Sequence, residues 1–122
     1  MPAEALRRRR TFTLLERTHT GLVATREAAV LALFAAAPGT DHYDDLTREV
    51  EALNDEIDDL RELSDELLRQ LQPLALADQR LAELEQTVAG AQALSNASQR
   101  AQALLGAARD VLVAFDDALD GQ

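Results

Sequence analysis

The chain holds only two histidines, and each stands near carboxylates, so chemistry must be sought there first. Glu16-Arg17-Thr18-His19 has the Glu-x-x-His spacing with which carboxylate-bridged two-metal centres are built inside helical bundles, because residues three apart share a helix face. Such a centre wants a second copy of the motif and two more inward Glu. The other histidine, His42, has Gly39 three residues before it, so the second copy is missing. Asp41-His42-Tyr43-Asp44-Asp45 is rich in oxygen ligands, yet a helical turn fans them apart, whereas an oxygen-ligated cation needs them to converge. Directly after Ala37-Pro38-Gly39-Thr40, these acids suit the first turn of a helix instead, where the helix dipole favours them. No metal or other cofactor is expected.

The remaining signatures of catalysis are missing. There is no Gly-rich phosphate loop, no Gly-x-Ser-x-Gly elbow and no His-Glu-x-x-His. No histidine is placed in sequence to activate Ser64, Ser95 or Ser98, and the lack of cysteine removes thiolate nucleophiles, thiolate metal sites and disulfides. His19-Thr20-Gly21 shares with histidine phosphotransfer domains, which are helical bundles of similar length, a histidine on a helix followed shortly by glycine. Those sites also carry a lysine, and this chain has none, so the likeness stops at a handful of residues and assigns no family. The expectation is a protein that is not an enzyme.

Arg7, Arg8, Arg9 and Arg10 form the one dense basic cluster, extended along the same segment by Arg17 and Arg26. Guanidinium groups grip phosphate oxygens well, so a nucleic-acid-associated accessory role is the alternative reading. Against it stand the net charge of −10 and the scarcity of aromatic stacking platforms. Docking on acidic surface, such as Asp55, Asp58 and Asp59 of the same chain or of a second copy, is the favoured use of the cluster. The charge is uneven: residues 1–40 carry +3, residues 41–72 carry −9 and residues 73–122 carry −4. A basic first segment before a strongly acidic second one suggests that the two are neighbours in space.

Helices must position all of these groups. Helix formers dominate the composition, and the aromatic and β-branched clusters that strands need are missing. The first segment, residues 3–37, places Phe12, Leu15, His19, Leu22, Arg26, Ala29, Leu33 and Ala37 at helical spacing, and Leu14, Val23, Val30, Leu31 and Phe34 widen that stripe. Gly21 within it marks either a close helix crossing or a weak point. The second helix, residues 41–72, carries a heptad seam of Leu46, Val50, Leu53, Ile57, Leu60, Ser64, Leu67 and Leu71, with Leu63 and Leu68 broadening the apolar face. Glu56 and Arg61 are the one g-to-e pair along it. Pro73 fits a reversal into a third helix or a kink in a longer one. Residues 74–119 can be followed as a single stripe, although Ser95-Asn96-Ala97-Ser98-Gln99 also fits the end of one helix and the cap of another.

The sequence therefore predicts one all-α domain over residues 1–122. Its fold is an elongated antiparallel bundle of three long helices, or four if the Ser95-Asn96 break is real, with coiled-coil packing. Long helices with little aromatic core gain from burying stripes against a second copy, so a homodimer is expected. The predicted function is that of an interaction or scaffold protein that self-associates and docks a protein partner. The longest uninterrupted apolar run, Ala28 to Ala37, is about half a bilayer crossing, so no membrane contact is expected. The Arg cluster is followed by Thr11-Phe12-Thr13-Leu14-Leu15 and then Glu16 and Arg17, which leaves no apolar centre for a secretory signal. A cytoplasmic location is the default.

Overall fold

The computed structural model describes residues 3–70 and 74–121, and among these it is all-helical, with no strand. Four helices follow one another: α1 (Ala3–Ala35), α2 (Asp41–Arg69), α3 (Asp78–Gln92) and α4 (Ala97–Asp120). The expected punctuation after α1 lies where Pro38, Gly39 and Thr40 stand. Gly39 takes φ +85, which glycine tolerates without strain, and the Thr40 side chain accepts from the Tyr43 backbone N–H at 3.2 Å to cap α2. The Thr40 hydroxyl also donates to the Ala37 carbonyl at 2.7 Å, tying the end of one helix to the start of the next.

The third segment departs from the single stripe. Residues 74–77 are not helical, α3 ends at Gln92, and α4 starts afresh at Ala97. The Asn96 side chain accepts from the Gln99 backbone N–H at 2.9 Å, so a residue that favours caps over helix interiors has taken the cap. One continuous helix over residues 74–119 is thereby replaced by two. α1 stops at Ala35 and α2 at Arg69, with Gln70 closing onto the Leu67 carbonyl. The expected seam residue Leu71 and the turn at Gln72-Pro73 lie outside the described residues.

Cross-helix contacts fix the directions. Arg10 reaches Asp78 and the Gln92 amide reaches the Arg17 carbonyl, so α1 and α3 run the same way. Ser98 reaches Glu49 and Arg109 reaches Glu56, so α2 and α4 run together, opposite to the first pair. α1 and α4 each pack against all three other helices, while α2 and α3 do not meet. The core lies between them. Leu14, Leu22, Leu53, Ile57, Leu60, Leu81, Leu104, Val111 and Phe115 are all almost completely buried.

α1 runs for 33 residues and α3 for only 15, or about 50 Å against about 22 Å at 1.5 Å per residue. α3 ends beside Arg17 and Gly21, leaving the upper half of α1 without that neighbour. Gly21 marks this crossing: a Cβ there would meet the Gln92 side chain at 2.8 Å and Leu104 at 3.5 Å. Of the two readings of Gly21, the close approach is the one observed.

Candidate interaction surfaces

The buried line of α1 keeps the leucines at the centre of the expected stripe and adds three threonines that the stripe lacked. Thr11, Thr18 and Thr25, spaced seven apart, are buried together with Leu14, Leu15, Leu22 and Ala29. Each threonine hydroxyl donates to the carbonyl four residues earlier, on Arg7, Leu14 and Gly21 respectively, at 2.7 to 2.8 Å. With the hydroxyl satisfied inside its own helix, the side chain presents a methyl group to the core as valine would. Thr11 does more. Its oxygen accepts from the Leu76 backbone N–H at 3.1 Å, joining α1 to the segment that leads into α3. The heptad spacing of the three threonines was the available signal, masked because threonine counts as polar.

Phe12, Leu31 and Phe34 move out of the stripe as a result. They are 44%, 71% and 82% exposed, and Leu6 on the same helix is 46% exposed. Leu68, expected to broaden the face of α2, is 73% exposed near the opposite end of the bundle from Phe34. On α2, Leu46, Leu53, Ile57 and Leu60 are buried, Val50, Ser64 and Leu67 are half-buried, and Leu63 is buried.

The four clustered arginines have separate fates. Arg10 forks onto both carboxylate oxygens of Glu85 and reaches Asp78 at 2.7 Å, and these hydrogen bonds, Glu85 first, raise its pKa further above its ordinary value. Arg8 pairs with Glu4 one turn back on its own helix at 3.0 Å. Arg7 is half-buried, and Arg9 is exposed with no salt bridge among the described residues. The acidic partner on this chain is thus α3, and Asp55, Asp58 and Asp59 of α2 do not take that part. Among the described residues no salt bridge joins α1 to α2; the cross-helix pairs are α1 with α3 and α2 with α4. The basic and acidic segments are neighbours, as expected, but their charges face different partners. Arg26 meets Asn54 instead, at 3.1 Å.

Among the described residues, Glu56 is the one buried charged side chain. It sits at 8% exposure, receives the Arg109 Nε at 3.0 Å, and leaves its second oxygen buried without a hydrogen-bond partner. Its partner is therefore on α4, whereas Arg61, the other member of the one g-to-e pair, lies 4.0 Å from Asp58 on its own helix. Glu49, one heptad earlier, is held above the usual carboxylate range by partial burial, against which the Ser98 hydroxyl acts by donating to it.

His19 is half-buried and lines an open groove between α1 and α2 with Phe12, Glu16, Arg61 and Ser64. The groove gathers a histidine, a carboxylate and a hydroxyl, but no hydrogen bond joins them among the described residues, and no group of three or more His, Asp or Glu there could hold a metal ion. No described helix is long and apolar enough to cross a membrane. Comparison with protein-family models, with curated proteins and with solved structures finds no match.

Proposed function

We propose that the chain is a non-enzymatic interaction protein, a helical bundle that self-associates and docks a protein partner through exposed helix faces. The observation that carries this reading is the upper end of α1, where Leu31 and Phe34 stand three residues apart at 71% and 82% exposure on a helix whose other face is packed. A single exposed leucine is ordinary on a protein surface; two large apolar groups in succession beyond the end of a neighbouring helix form a patch that association would cover. Because most of the α2 seam is already buried within one chain, the surface for self-association falls to α1. The two arginines that pair with carboxylates of their own chain favour this reading over nucleic-acid binding, since phosphate contacts need uncommitted positive charge.

Sedimentation equilibrium tests it. The wild-type protein is expected at twice its 13.3 kDa mass in the micromolar range, and Phe34→Glu is expected to shift it to monomer without changing the helical circular-dichroism spectrum. A wild-type chain at 13.3 kDa throughout the concentration range would overturn the proposal.

A further inference from the structure

The exposed face of α1 carries an order that suits one occupant in particular. Arg9 and Glu27 are both exposed, neither makes a salt bridge among the described residues, and they stand eighteen residues apart, which is five whole turns at about 3.6 residues per turn. They therefore share one face, at equal distances on either side of Thr18. Leu6 lies just beyond Arg9 at one end of this face, and Leu31 and Phe34 lie just beyond Glu27 at the other; all three are exposed. Turned end for end about the level of Thr18, the face is complementary to itself. Arg9 falls opposite Glu27, and Leu6 falls within one residue of the level of Leu31, with Phe34 about one turn farther along, twice over by symmetry.

From this order, and resting on the reading that the chain self-associates, we infer that a second copy covers α1, with the two α1 helices antiparallel around a twofold axis at the level of Thr18. A twofold contact uses the same patch on both subunits, so a residue and its opposite number must each meet the other, and Arg9 with Glu27 and Leu6 with Leu31 satisfy that condition in charge and in hydropathy. The ends of the molecule agree. The basic start of α1, with Arg9, comes to the end of the partner where α1 terminates and where Asp41, Asp44 and Asp45 open α2. Positive charge is favoured at the C-terminus of a helix and near that acidic turn. The opposite side of α1 is occupied by its own bundle, which leaves this face outward.

A charge-reversal cycle read by sedimentation tests the pairing. Arg9→Glu and Glu27→Arg are each expected to raise the dimer dissociation constant about tenfold, and the double variant to return it to within about threefold of wild type, as expected when two exposed pairs per dimer are reversed and restored. Net charge alone cannot imitate this: Glu27→Arg makes the chain less negative, from −10 to −8, so a non-specific effect would tighten the dimer. Circular-dichroism melts of the four proteins report whether each is folded, and the double variant carries both substitutions, so recovery in it excludes misfolding as the cause of the single-variant losses. A dimeric wild type with single variants of unchanged affinity, or with a double variant weaker than either single, would overturn the antiparallel pairing while leaving self-association standing. A monomeric wild type would remove both.

Discussion

The lower and upper halves of α1 are parts of one unbroken helix in different surroundings. The lower half lies among three neighbours: Thr11 holds the Leu76 N–H, Arg10 holds Asp78 and Glu85, and the Arg17 carbonyl receives Gln92. Above Gly21 α3 is gone, and only α2 and the start of α4 remain. The lower half buries Thr11 and Thr18 completely or nearly so, and the upper half leaves Leu31 and Phe34 in solvent. Burial follows the face of the helix in both halves: Leu6 and Phe12 are exposed in the lower one, and Leu22, Thr25 and Ala29 are buried in the upper one. α3 thus anchors the lower half of α1, while the outward face carries exposed apolar side chains at both ends, Leu6 at one and Leu31 and Phe34 at the other.

The sharpest way to break this contrast is to weaken α3. Leu81 is completely buried, and Leu81→Ala is expected to cost about 2–5 kcal/mol, with urea denaturation as the measure. Phe34→Ala, measured at concentrations low enough to keep the chain monomeric, is expected to stay within about 0.5 kcal/mol of wild type. Equal losses would mean that Phe34 has a partner within the chain.

A smaller effect separates two threonines of one seam. Thr11→Val leaves the buried Leu76 N–H without its acceptor and is expected to cost about 1–3 kcal/mol, whereas Thr18→Val removes only a bond to its own helix and is expected to cost less than about 1 kcal/mol. Matching losses would show that the contact with Leu76 contributes nothing to holding α1 against the entry to α3.

The smallest effect belongs to α2, where Glu49 stands beside the upper half of α1. Burial raises the pKa of Glu49, so the folded state favours the protonated carboxyl; that contribution is present below the ordinary carboxylate value and is lost as pH rises through the raised one. Glu49→Gln is accordingly expected to raise the melting temperature slightly at neutral pH and to leave it unchanged below pH of about 4. A difference that grew on acidification would contradict the sign.

Much of this architecture can be read before any coordinates. Pro38, Gly39 and Thr40 end one helix and begin another for local reasons, and the α2 seam stands out because acids fill the positions between its apolar members. The line of α1 was harder to see, since a threonine that bonds back to its own helix is polar in composition and apolar in packing. One continuous helix is expected through Asn96 because the stripe resumes beyond it after an extra spacing of three at Ala91 to Leu94, and the cap bond to Gln99 marks the break instead. Arg10 was identifiable as part of a basic cluster, but its partners are 68 and 75 residues away on α3, and no local pattern names them. Glu56 looked like a surface heptad residue until α4 was laid against it.

The central claim, that α1 offers its outward face to a second copy in antiparallel register, is tested most directly by distances between spin labels in the dimer. The chain has no cysteine, so a single introduced one labels cleanly. At about 1.5 Å per residue, labels on Thr20→Cys should lie within about 20 Å of each other across the twofold axis, and labels on Ala35→Cys about 50 Å apart. Two short distances would place the helices parallel, and two long ones would remove α1 from the interface.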